Sequence, residues 1–146
     1  MRRRDLFSCL LRGIVAVLIV FAGGPSALSA QEMPPKSFSQ EQLDQLLAPV
    51  ALYPDALLTQ ILMASTYPLE IVKAANWTKK NKGLQGSALT AALEKQEWDP
   101  SVKSLVNFPS ILQMMDDQID WTQKLGDAFL AQKKDVMDTV QRLRRK

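Results

Sequence analysis

Proline dictates where the helices of this chain can start. Tyr53-Pro54, Tyr67-Pro68 and Phe108-Pro109 each place an aromatic residue and a proline just ahead of an apolar run, and Trp98-Asp99-Pro100 varies the device. Proline is tolerated in the first turn of a helix, where its missing N–H would have had no partner, but it stops a helix that tries to pass through it. The preceding aromatic ring can fold back onto the new helix. Short helices joined by aromatic-proline corners are the architecture this dictates. No stretch sustains a period of two, so no sheet is expected and the fold class is all-α.

Within that frame the helices can be placed. Ser39-Gln40-Glu41-Gln42 has the form of a capping box, and Leu43, Leu46, Leu47 and Val50 follow at helical spacing, which predicts a first helix to about Leu52. After Tyr53-Pro54, the run Ala56, Leu57, Leu58, Ile61, Leu62, Met63 is apolar almost all round, as a buried central helix would be. A third helix should present Ile71, Val72, Ala75 and Trp77 inward and end before Gly83. Ser87 is the expected cap of a fourth helix carrying Leu89, Ala92 and Leu93, and Asp99-Pro100 opens a short fifth with Val102, Leu105 and Val106.

The final segment, from Pro109 to Lys146, contains no further proline. Leu112, Met115, Ile119, Phe129, Val136, Val140 and Leu143 step by threes and fours along it, with Thr122, Gly126 and Lys133 interrupting the seam. Read as one helix it would be about 57 Å long at roughly 1.5 Å per residue, too long for the rest of a small domain to cover. Either it bends near Gly126, or its distal face, Phe129, Val136, Val140 and Leu143, packs on a partner, on a second copy or on further chain. The expected domain is thus about five short helices plus one long C-terminal helix.

Residues 1–30 are read as a signal peptide that is not part of this domain. Arg2 to Arg4 make a basic start, Leu10 to Phe21 is mostly apolar, and Ala27-Leu28-Ser29-Ala30 supplies small residues for cleavage after Ala30. The apolar run is interrupted by Arg12 and falls short of the roughly 20 residues that cross a bilayer, so membrane contact is expected only if this segment is retained. Residues 31–38, with Pro34-Pro35, form a leader, and 39–146 the helical domain. Removing the signal takes four of the 18 cationic and one of the 15 acidic side chains, leaving 14 of each. The net charge of +3 is therefore a targeting effect, and a nucleic-acid role loses its electrostatic basis.

The domain offers little for catalysis. The chain has no histidine, and its one cysteine, Cys9, lies in the signal segment, so imidazole acid–base chemistry, a thiolate nucleophile and the usual zinc, haem and iron–sulfur ligands are excluded from the domain. No cofactor or metal is expected. Asp116-Asp117-Gln118-Ile119-Asp120 matches a short diphosphate–magnesium pattern, but a solvated acidic face with an Asp120–Lys124 pair accounts for it as well. Glu94, Glu97 and Asp99 beside Trp98 resemble the carboxylate sets that act on sugars. Helix ends commonly combine acids with a packing tryptophan, and Asp55 and Glu70 fall in first turns, where a negative charge meets the positive end of the dipole. Arg142, Arg144 and Arg145 are expected to solubilise a helix C-terminus.

The stretches LLAPVALYPDALLTQILMASTYPLEIVKAANW, WDPSVKSLVNFPSILQMM and QIDWTQKLGDAF closely resemble the bacterial envelope proteins grouped as domain of unknown function 3300, over about Glu41 to Arg144. The resemblance implies an exported helical domain of Gram-negative bacteria, in the periplasm or cell envelope. It carries over no catalytic or binding residues. Members of that family continue into a segment rich in Val, Tyr and Pro where this chain stops at Lys146, which would leave the last helix's seam to be covered from elsewhere. The expected role is a non-catalytic interaction or structural module, partnered by itself or by another envelope protein. A carboxylate-dependent enzyme acting on cell-wall glycan and a membrane-associated module are the alternatives.

Overall fold

The computed structural model describes residues 37–145, which form eight helices and no strand. The signal segment and the leader up to residue 36 lie outside the described residues. The first five helices are α1 (Gln40–Leu47), α2 (Asp55–Ala64), α3 (Pro68–Lys80), α4 (Gly86–Glu94) and α5 (Pro100–Leu105). They are followed by α6 (Pro109–Asp117), α7 (Ile119–Ala131) and α8 (Lys133–Arg144).

The corners behave as their chemistry requires. Tyr67, Asp99 and Phe108 take the cap position and Pro68, Pro100 and Pro109 the first turn, while at Tyr53-Pro54 the proline itself is the cap residue. Ser39 and Gln42 close the capping box in both directions, at 3.3 and 2.8 Å. Two boundaries differ from expectation. α1 stops at Leu47 because Pro49 has no N–H to continue the ladder, and residues 48–52 wind on as turns that still bury Val50 and Ala51. α4 enters at Gly86, whose left-handed φ of +56° lets Gln85 take the cap position in place of Ser87.

The larger correction concerns the last segment, which is three helices rather than one. The backbone breaks at Gln118 (φ −116°, ψ 53°) and Gln132 (φ −138°, ψ 47°), and stays helical at Gly126. At the first break the buried Thr122 hydroxyl donates to Met115 O at 2.7 Å, satisfying a carbonyl at the end of α6. At the second, the Gln132 side chain accepts the Phe38 N–H at 2.6 Å and donates to Phe38 O at 3.3 Å, tying the bend to the start of the domain.

The double bend returns α8 to α1, so the seam is covered from within the chain. Val136 and Val140 are fully buried, Phe129 and Leu143 partly so. Gln40 donates to Thr139 at 2.9 Å, and Arg142 pairs with Asp44. Arg144 donates to Ala51 O and Tyr53 O, each at 2.6 Å, and pairs with Asp55, so one guanidinium ties together the α1–α2 turn. The arginines expected to solubilise a helix end are mostly cross-links.

α2 occupies the centre, packed on α5 and α7, with Leu58, Ile61 and Leu62 almost wholly excluded from water. α7 crosses the α2–α3 turn so closely that a methyl group on Gly126 would lie 2.3 Å from Ser65 O. Gly126→Ala should therefore cost about 2–3 kcal/mol in urea unfolding. Gly83→Ala, with open space around it, should change stability by less than about 0.5 kcal/mol. Equal effects would mean that α7 does not approach the turn this closely.

Candidate functional site

The acidic residues that looked most chemical are distributed among structural tasks. Glu70, in the first turn of α3, accepts the backbone N–H of Asp99 at 2.7 Å, which joins the Tyr67-Pro68 corner to the Trp98-Asp99-Pro100 corner. Asp99 caps α5, accepting the Ser101 N–H at 2.9 Å and the Ser101 hydroxyl at 2.5 Å. The Ser101 hydroxyl, above all, holds the Asp99 carboxyl below the usual carboxylate range. Glu94 and Glu97 are exposed. The three acids beside Trp98 therefore do not converge on a shared cleft.

The Asp116–Asp120 pattern is divided by the break at Gln118. Asp116 turns to α3 and pairs with Lys79 at 3.3 Å, its side chain only 14% exposed, while Asp117 accepts from Gln113 at 2.6 Å. The expected Asp120–Lys124 pair does not form; the ion pairs among the described residues are Lys79–Asp116, Lys134–Asp138, Arg142–Asp44 and Arg144–Asp55. Among the described residues no group of three or more His, Cys, Asp or Glu side chains could hold a metal ion.

The tryptophans are half-buried packing residues that each keep contact with a groove or a corner. Trp77 and Trp98 meet edge to face, with centroids 5.9 Å apart and planes at 83°. Trp121 donates its indole N–H to Leu46 O at 2.9 Å and lines a groove of about 670 Å³ with Asp117 and Asp120. Trp77 lines a larger one, about 800 Å³, between the end of α3, the 81–85 loop and the start of α6. Asn81, Gln85, Asn107, Ser110 and Gln113 supply its polar wall. Sequence reasoning passed over these five, because uncharged side chains from three separate segments have no spacing that announces a common site.

The proposed interface residues Phe129, Val136, Val140 and Leu143 do not form an open face, since the two valines lie in the core. The large apolar side chains left most exposed are Leu52 at 82%, Leu130 at 72% and Leu69 at 65%. Leu130 lines a shallow cleft with Thr66 and Pro68, next to Leu69. No helix among the described residues is long and apolar enough to cross a membrane.

The model of a family described as "Protein of unknown function (DUF3300)" matches residues 39–146. The uncharacterized protein YacH of Escherichia coli (strain K12) is 53% identical over 124 residues, covering 82% of this chain and 20% of that protein. The chain thus spans about a fifth of the length of the curated relative it matches. No solved structure matches.

The acid-side stability of the corner follows from Asp99. Its folded-state pKa is lowered, so it contributes stability that is fully present above the usual value of 3.8 and is lost as the pH falls through the lower folded value. Ser101→Ala should cost about 1 kcal/mol near neutral pH, by loss of the cap partner. The gap between variant and parent should close as Asp99 protonates, measured by urea unfolding from pH 7 downward; a gap independent of pH would show that packing, not the carboxylate, is at stake.

Proposed function

Since the chain belongs to the DUF3300 family of proteins of unknown function, we propose that it is a non-catalytic interaction module exported to the cell envelope of a Gram-negative bacterium. The observation that carries the non-catalytic reading is the commitment of the acids. Glu70, Asp99, Asp55, Asp116 and Asp117 each serve a cap, a cross-link or an ion pair, and the exposed acids Glu94 and Asp120 line two different grooves, with Glu97 in neither. A glycan hydrolase needs two carboxyl groups flanking one bond in a shielded cleft, one of them with a raised pKa.

Export rests on residues 1–30, with their basic start, apolar run and small-residue cleavage stretch. Membrane contact is proposed only through that segment, if it is retained. The interaction reading draws on the apolar side chains the fold leaves uncovered, Leu69 and Leu130, which take the place of the buried seam. A second copy or another envelope protein is the partner this surface suits.

Incubation of the protein with purified peptidoglycan should release no soluble fragments. Release that disappears when Glu94→Gln and Glu97→Gln are combined would replace this reading with the enzymatic one. Cell fractionation should recover the protein in the envelope with a new N-terminus at Gln31, and recovery in the cytoplasm with Met1 intact would remove export from the proposal.

A further inference from the structure

The groove lined by Trp77 combines an aromatic ring with uncharged polar side chains. Its walls include the indole, the uncharged hydrogen-bonding side chains of Thr78, Asn81, Gln85, Asn107, Ser110 and Gln113, and no carboxylate. The reason is local. α4 and α6 both begin at this groove, and neither has an acidic residue in its first turn or a side-chain cap, whereas α1, α2, α3, α7 and α8 each carry a first-turn acid. Of the two lysines that reach it, Lys79 is paired with Asp116 and Lys82 is exposed. A ligand here meets a weakly positive field, from Lys82 and from the two helix starts.

The polar groups are also oriented. The Asn81 amide nitrogen is held by Trp77 O at 2.8 Å, and that of Gln113 by Asp117 at 2.6 Å, so each amide leaves its carbonyl oxygen to accept from a ligand. Gln85 and Ser110 stand exposed, with their side chains free of bonds to the rest of the fold. The apolar floor is less available than its residue types imply: Ala75 and Val106 are each 3% exposed and Leu112 is fully covered by its own neighbours. Its accessible apolar surface comes instead from Trp77, Leu84, Leu89 and Pro109. An indole beside fixed amide acceptors and free hydroxyl and amide groups is suited to a hydroxyl-rich ligand, whose rings present an apolar face and a polar edge.

The site is long enough for more than one ring. A second groove, about 430 Å³, flanks the other side of α4 and shares Gly86, Leu89 and Asn107 with the first. α4 itself is weakly embedded, with Leu93, at 9% exposure, as its one buried residue. Its entry through Gly83 and Gly86 gives it room to adjust to an occupant.

We propose that the Trp77 groove is a binding site for an oligosaccharide, held without cleavage. The assignment rests on the non-catalytic reading above and names the ligand class for it. Titration of the full-length protein with chitotetraose, followed by tryptophan fluorescence and calorimetry, should give saturable binding. Trp77→Ala should weaken it at least about tenfold, the loss of roughly one stacking interaction. Gln85→Ala and Asn107→Ala, which remove exposed side chains, should each weaken it about threefold with an unchanged circular dichroism spectrum, and Trp121→Ala, in the other groove, should leave it unaltered. Saturable binding of maltotetraose with the same variant pattern supports the assignment equally. The proposal is overturned by absence of saturation at millimolar concentrations of both sugars, by binding indifferent to Trp77, Gln85 and Asn107, or by dodecanoate saturating the groove in their place. Binding accompanied by cleavage would retain the site and refute the non-catalytic reading, so the two can fail separately.

Discussion

Everything in this fold depends on the last third of the chain bending twice. An unbroken helix from Pro109 onward would carry its apolar seam far beyond what α1 to α5 can cover. Breaking it at Gln118 and Gln132 turns one over-long element into three that wrap the central α2. A break strands backbone groups, and each costs on the order of 1–3 kcal/mol if buried without a partner. Thr122 and Gln132 supply partners on the spot. Closure then follows: α8 reaches α1, Val136 and Val140 enter the core, and Arg144 gathers the carbonyls of the α1–α2 turn.

The same economy of polar groups explains why acids that resemble catalysts are not arranged as catalysts. Corners built on proline lack one N–H by construction, and the others at each helix start look outward for acceptors. Asp99 answers within its own helix, while Glu70 answers for a different one, accepting the Asp99 N–H and so fixing α3 to α5. The Asp99 carboxylate, saturated by Ser101, is held ionised, the wrong state for a general acid. Position in the first turn, which the macrodipole favours, accounts for Glu70 from sequence alone.

Features set by neighbours in sequence were legible in it; features set by contacts across the fold were not. The Ser39–Gln42 box, the four proline-marked starts and the absence of strands among the described residues are decided within a few residues. The breaks at Gln118 and Gln132 fall on glutamine, a good helix former, and depend on compensation by Thr122 within the segment and by Phe38 at the other end of the domain. Their trace was present in the seam itself. Thr122 interrupts it to cap a break, Gly126 to admit Ser65, and Lys133 to begin α8, where its ammonium sits 5.3 Å from the Phe129 ring centroid. Reading those three as defects in one helix, rather than as marks of three, produced the uncovered face that the structure fills. The groove around Trp77 was invisible for a related reason, since its walls are assembled from residues 77 to 113 with no shared period.

That groove lies where the chain departs from its own rule. Five of the eight helices begin with an acid in the first turn and α5 with an aspartate cap, which leaves α4 and α6 as the two without either. Both omissions face one cavity. A sequence consistent at every other helix start gives up some stability at these two, and departures of that kind are expected where a surface serves something other than folding. α4 shows the same departure in packing, contributing a single buried residue while separating two grooves. A helix held so lightly adds little to the core, so its retention beside Trp77 is better explained by what it borders than by what it buries.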